Sequence, residues 1–172
     1  MKESFFLTGF MGAGKSTVGR ILAQRLNRKF IDTDLLIEEK LGKSIEDIFS
    51  IYGEERFRDE ETKIILELVL KEEEPVVVAL GGGAVVRDVN RKILFQSNRV
   101  KLINLRAGPR ELYRRLKNKE DRPLLKQGNP YTVIKDLLEA RKKFYDTIPC
   151  QINTEGLTPE EVVEQICHIF IG

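Results

Sequence analysis

The stretch that most constrains this chain lies near its start. The apolar run Ser4-Phe5-Phe6-Leu7-Thr8 passes directly into Gly9-Phe10-Met11-Gly12-Ala13-Gly14-Lys15-Ser16-Thr17, which satisfies the pattern G-x-x-x-x-G-K-[ST]. Val18, Ile21, Leu22 and Leu26 follow at helical spacing, so the motif sits between a strand and a helix, the context its mechanism requires. Glycines let the backbone curl into a ring of amide donors, and the N-terminus of the next helix adds partial positive charge at the same point. A glycine-rich turn that binds nothing has no use for Lys15-Ser16 at this spacing. The motif predicts that Gly12, Ala13, Gly14, Lys15, Ser16 and Thr17 surround nucleotide phosphates, with Lys15 on the β- and γ-phosphates and Ser16 on a magnesium ion.

Further short apolar runs, Phe30–Ile31, Val76–Leu80, Val100–Leu105 and Gln151–Ile152, are separated by stretches of helical periodicity. Strands alternating with helices imply a parallel sheet covered on both faces, a three-layer α/β/α sandwich of five strands with a phosphate loop. A final helix is expected after Thr158, with Pro159 in its first position and Val162, Val163, Ile166, Ile169 and Phe170 on one stripe. Lys119–Pro130 carries two prolines and a glycine and reads as a mobile loop. At 172 residues the chain fits one domain, residues 1–172, able to bury about two thirds of its unfolded surface.

Composition narrows the setting. Hydrophobic residues at 41% and charged residues at 33% form an ordinary soluble balance, and no apolar run approaches the roughly 20 residues that span a bilayer. Gly9 cuts the first apolar run too early for a signal peptide, so a cytoplasmic location is expected. Cys150 and Cys167 have neither metal nor redox spacing and read as packing residues; His168, without a companion ligand, reads as a surface residue. The net charge of +2 gives no case for nucleic acid. Between Arg106 and Lys126, however, basic residues outnumber acidic ones, which suits an anionic ligand, although a solvated helix face accounts for most of them.

The run Val76–Leu80 ends in Gly81-Gly82-Gly83, where many phosphate-loop proteins deliver an acid to magnesium. The likelier home of that acid is Phe30-Ile31-Asp32-Thr33-Asp34. Alternation along an extended segment puts Asp32 and Asp34 on one side, at the carboxyl end of a strand, where ligands of open parallel sheets bind. One serves magnesium and the other an attacking hydroxyl. Capping of a helix Leu35–Leu41 offers Asp34 a purely structural task, and leaves Asp32 unexplained. Asn118-Lys119-Glu120-Asp121 spells a guanine-recognition motif, but it follows the charged helical run Glu111–Lys117 rather than a buried strand and is read as chance.

Together the phosphate loop, Asp32-Thr33-Asp34, Phe57-Arg58, Gly81-Gly82-Gly83, Arg122-Pro123-Leu124-Leu125 and Arg141 with Tyr145 resemble, in order, the shikimate kinase family. The resemblance covers nearly the whole chain. It implies transfer of the γ-phosphoryl group of ATP, with Mg2+, to the 3-hydroxyl of shikimate. It also implies a carboxylate clamp of Arg58 and Arg141, suited to the task because a planar guanidinium donates two parallel hydrogen bonds. Taken singly, both arginines lie in charged helical segments where an exposed ion pair is the default. Asp34 matches the residue on the reacting hydroxyls, orienting the nucleophile or accepting its proton. Glu61, at i+3 from Arg58, is placed to hold that arginine. Arg122 matches the arginine of a mobile lid, residues 110–127, that closes over the transferring group. Arg115 and Pro159 align with positions flanking adenine, while Glu155-Gly156 stands where some relatives carry a basic residue.

The glycines, having no side chains, are expected to let the acceptor approach the backbone and to donate their amides to its oxygens or to the γ-phosphate. A side chain at Gly82 is expected to block shikimate. The competing readings are a gluconate or nucleoside monophosphate kinase, and a nucleotide-dependent switch without an acceptor. A monomer with no nucleic-acid or membrane partner is expected.

Overall fold

The strand feeding the phosphate loop is buried along its whole length. β1 (Ser4–Thr8) carries Phe5, Phe6 and Leu7 with no exposed surface, as a central parallel strand covered on both faces must. The computed structural model describes residues 3–71, 74–117 and 128–172. In them β1 is followed by α1 (Lys15–Arg25), β2 (Phe30–Asp32), α2 (Thr33–Leu41), α3 (Ile45–Lys71), β3 (Val77–Ala79), a 3₁₀ turn (Ala84–Val86), α4 (Asp88–Gln96), β4 (Val100–Arg106), α5 (Pro109–Leu116), α6 (Pro130–Tyr145), β5 (Cys150–Asn153) and α7 (Pro159–Phe170).

The strands form one parallel sheet in the order β2-β3-β1-β4-β5, so each of the five apolar runs is a strand. The chain steps from β1 outward to β2, returns through β3, and then continues on the far side of β1. Right-handed crossovers place helices of opposite direction on opposite faces. Accordingly α1 packs against α7, and α3 against α4. The strand order reverses at β1, and open parallel sheets bind ligands outside the carboxyl ends of the strands at such a point.

Local chemistry sets the boundaries that matter. The helix expected from Leu35 begins two residues earlier, at Thr33, and its N-cap is Asp32, whose side chain accepts from the Asp34 amide at 3.1 Å. Helix α3 is interrupted at Gly53, where φ of 81° belongs to glycine. Residues 110–116 of the expected lid lie in α5, anchored by the buried Leu112 and Leu116, whereas 118–127 lie outside the described residues.

Helix α7 starts as its residues dictate. Thr158 accepts from the Glu161 amide at 3.2 Å, and the Glu161 carboxylate accepts from the Thr158 amide at 2.7 Å. Val162, Val163 and Ile166 are buried and Phe170 meets Phe5 edge-on, but Ile169 stays 53% exposed. Cys150 and Cys167 are free thiols packed against the core, and His168 is exposed. No helix among the described residues is long and apolar enough to cross a membrane.

Thr158→Ala removes one half of that reciprocal cap and should cost about 1 kcal/mol of stability, or roughly 2–4 °C in Tm, in thermal denaturation. Thr158→Ser, which keeps the hydroxyl, should melt like the parent.

Candidate functional site

The phosphate loop is built on backbone that only glycine adopts readily: φ is 81° at Gly12 and 99° at Gly14. Gly14 is also the N-cap of α1 and supplies no side chain to it, so the first-turn amides remain available to an anion. The Lys15 ammonium lies back on its own loop, donating to the Gly9 and Phe10 carbonyls at 2.9 and 3.1 Å. Ser16 Oγ donates to Asp32 Oδ2 at 2.7 Å.

The two aspartates have separate surroundings. Because the chain turns helical at Thr33, alternation along an extended segment does not apply to them. Asp32 faces the phosphate loop and caps α2, the structural task that the sequence offered as an alternative for Asp34. Asp34 instead turns toward the triple glycine: a Cβ on Gly81 would stand 2.6 Å from Asp34 Oδ1 and 2.7 Å from Glu61 Oε1. Capping therefore no longer accounts for Asp34.

None of the three glycines takes a positive φ, so what they provide is space. A Cβ on Gly83 would stand 2.5 Å from Arg58 Nη2, which makes this glycine more than a turn residue. The hypothetical Gly82 Cβ has only ordinary contacts, the nearest the Met11 amide at 3.4 Å. The steric demand within the chain therefore falls on Gly81 and Gly83, while a Cβ at Gly82 would rest in ordinary contact with the phosphate loop at Met11 N and Gly9 O. One further expectation is corrected: the Gly81 amide is already committed to Thr33 Oγ1 at 3.0 Å. The Gly82 carbonyl accepts from the Tyr145 hydroxyl at 2.5 Å and from Arg141 Nη1 at 3.4 Å.

Arg58 is not the exposed helical residue that its neighbourhood in sequence suggests. Its side chain is 14% exposed and pairs with fully buried Glu61 at 3.0 Å and with exposed Glu54 at 3.2 Å. Burial works against the guanidinium charge, but the two carboxylates together outweigh it and hold Arg58 above its usual pKa. Glu61 is pushed up to about 7, chiefly by burial, with Asp34 adding to the shift and Arg58 offsetting part of it. Arg141 lies over the Phe10 ring, 5.7 Å from its centroid. Two guanidiniums and two carboxylates thus border the glycine turn, beside the phosphate loop.

Arg115 joins three elements. It donates to the Gly12 carbonyl at 3.3 Å, to Thr154 Oγ1 and O at 3.0 Å each, and to Glu111 at 2.6 Å. Pro159 stands in the first turn of α7, next to that loop. Glu155 folds back to accept from the Gly108 amide, so its carboxylate ties the loop to the start of α5. Arg122 and the stretch 118–121 lie outside the described residues.

This arrangement can be set beside known proteins. A family model for shikimate kinase matches residues 11–170. The chain belongs to the shikimate kinase family. It is 43% identical over 164 residues to a shikimate kinase of Thermodesulfovibrio yellowstonii, covering 95% of this chain and 92% of that one. It is 45% identical over 160 residues to that of Geobacter sulfurreducens, covering 93% and 86%. Among solved structures, a shikimate kinase from Acinetobacter baumannii in complex with shikimate superposes with a TM-score of 0.91 at 35% identity, covering 98% of this chain and 93% of that one. A gluconokinase from Sinorhizobium meliloti 1021, at TM-score 0.61 and 18% identity, shares the fold.

Within this shikimate kinase frame, sequence reasoning assigned no role to Thr33 or Tyr145, both of which hold the glycine turn. The signal for Thr33 was a polar residue locked between two aspartates at the end of an otherwise apolar strand. Its bonding partners are 46 and 48 positions away, so spacing alone could not name them.

Glu61 makes stability depend on pH with a defined sign. Its folded-state pKa, about 7, lies above the ordinary 4.5, so the folded chain keeps a proton that the unfolded chain releases. The resulting stabilisation is complete below pH 4.5 and is lost as pH rises through about 7. Thermal melts across this window should show that slope in the parent and not in Glu61→Gln. Parallel Tm curves for the two proteins would remove Glu61 as its source.

Proposed function

We propose that this chain is an ATP-dependent shikimate kinase that transfers the γ-phosphoryl group of ATP to the 3-hydroxyl of shikimate, giving shikimate 3-phosphate and ADP on the route to chorismate and the aromatic amino acids. The observation that carries the reading is the convergence of Asp34, Arg58 and Arg141 on the glycine turn beside the phosphate loop, in a member of this family.

Shikimate is a carboxylate bearing three hydroxyls, and the two ends of the pocket have matching chemistry. Arg58 and Arg141 bind the carboxylate; Arg58 is already charged and held by Glu61, so little ordering is left for the moment of binding. Asp34, beside Gly81, orients the attacking hydroxyl. Phosphoryl transfer asks the protein mainly for positioning and charge stabilisation, which these groups supply. The Gly82 and Gly83 amides, which have no acceptor among the described residues, are the donors remaining on the turn for substrate oxygens.

Lys15 leaves its loop carbonyls for the β- and γ-phosphates when ATP binds, and the amides of Gly12 to Thr17 receive the phosphate oxygens. Ser16 and Asp32 would hold Mg2+. Their hydroxyl and carboxylate form a hard-oxygen donor pair, and no cluster of three acidic, histidine or cysteine side chains among the described residues offers a complete cage, which fits an ion completed by phosphate and water. When bound, the ion neutralises charge developing between the phosphates. Arg115 and Pro159 flank the adenine, and Arg122, on the lid within 110–127, stabilises the transferring group. The proposal includes a single-domain monomer acting in the cytoplasm.

Following ADP release with ATP, Mg2+ and, in turn, shikimate, gluconate and nucleoside monophosphates tests the reading. Shikimate-dependent turnover is expected; turnover with another acceptor alone, or release independent of any acceptor, would sink it. Asp34→Asn should keep ATP affinity and lose turnover by at least about a hundredfold. Normal turnover in that variant would remove Asp34 from the reacting hydroxyl.

A further inference from the structure

We infer that two buried hydroxyls, those of Thr33 and Tyr145, set the position of the Gly81–Gly83 turn and act as positioning residues for the acceptor; this rests on the shikimate kinase reading. The turn has two backbone bonds of its own, from the Ala84 amide to the Gly81 carbonyl and from the Val86 amide to the Gly83 carbonyl, both 3.0 Å, and neither ties it to the helices that carry the acid and the clamp. Its three residues have no side chains to pack, and the β2–β3 pairing ends with Asp32 opposite Ala79. The Leu80 amide makes the last bond to the sheet, reaching the Leu7 carbonyl at 2.9 Å.

Beyond that point the side chains that hold the turn come from other elements. Thr33, fully buried, donates to the Ala79 carbonyl at 3.3 Å and accepts from the Gly81 amide at 3.0 Å, so one hydroxyl brackets the exit of β3. Its β-branched side chain has little rotameric freedom in a helix. Because Thr33 lies between Asp32 and Asp34, this pin fixes the spacing between the glycine backbone and the carboxylate that faces it.

Tyr145 performs the matching task on the other side. It follows Arg141 by one helical turn on α6, and its hydroxyl donates to the Gly82 carbonyl at 2.5 Å, where the Arg141 bond is a long 3.4 Å. Arg141 can therefore turn to a substrate carboxylate without leaving that carbonyl unpaired, because Tyr145 keeps it satisfied. The two pins tie the helix bearing the acid and the helix bearing the clamp to one stretch of backbone.

Thr33→Val, Thr33→Ser and Tyr145→Phe in the full chain test this, with kcat, both KM values and Tm measured for each. Thr33→Val and Tyr145→Phe should each raise the KM for shikimate about three- to tenfold while the KM for ATP moves less than about twofold, and Thr33→Ser should restore the parent value. The proposal is overturned if the ATP KM moves as much as that for shikimate, if Tm falls while both KM values hold, or if Ser fails to rescue. Should Thr33→Val not fold, Tyr145→Phe, which keeps the ring, decides by the same split. A parent enzyme with no shikimate turnover would overturn the functional reading itself, whereas an active parent with unaltered variants overturns the pins alone.

Discussion

Register across β2, β3 and β1 is the constraint on which the site depends. Asp32 pairs with Ala79 and Ala79 with Leu7, so three chemically different segments leave the sheet at one level: the phosphate loop, the glycine turn and the start of α2. Because the strands are parallel, all three emerge at their carboxyl ends. A slip of one residue in β3 would turn its side chains to the opposite face and move the glycines out of reach of Asp34 and Arg58. The 2.7 Å bond from Ser16 to Asp32 spans the ends of two strands that are not neighbours, with β3 between them.

The electrostatics of the site follow from how little water reaches it. Glu61 is fully buried, and the cost of ionising it there exceeds what Arg58 returns, which is why its pKa moves toward neutrality although its partner is 3.0 Å away. Arg58 has the second carboxylate, Glu54, and keeps its charge. The pair is thus better suited to holding a guanidinium in one orientation than to adding stability. Helix α3 is also bound to the glycine segment at its far end, where Arg87 pairs with Asp59 at 2.8 Å and with Glu55.

Where reasoning from the residues succeeded, the physics was local. Strand–loop–helix chemistry needs only nearest neighbours, and so do the helix start after Thr158 with Pro159 in its first position and the i+3 pairing of Arg58 with Glu61. Reasoning failed where one residue had two competing local tasks. Either aspartate of Asp32-Thr33-Asp34 can cap a helix, and the choice depends on whether β2 stops at Ile31 or at Asp32, which its pairing with β3 decides. That choice gave the capping task to Asp32 instead of Asp34. The glycines failed in the same way, since their amides looked equivalent until Thr33 was found to hold the one on Gly81.

By itself the sequence determined the kind of site, the class of fold and the family, because these follow from residue type, period and order along the chain. Only tertiary structure decided which of the three glycines is crowded, which aspartate caps α2 and which hydroxyls hold the turn. Each of those answers is a distance between segments tens of residues apart. Such a distance is set by sheet register and helix packing together, and no pattern of neighbouring residues encodes it.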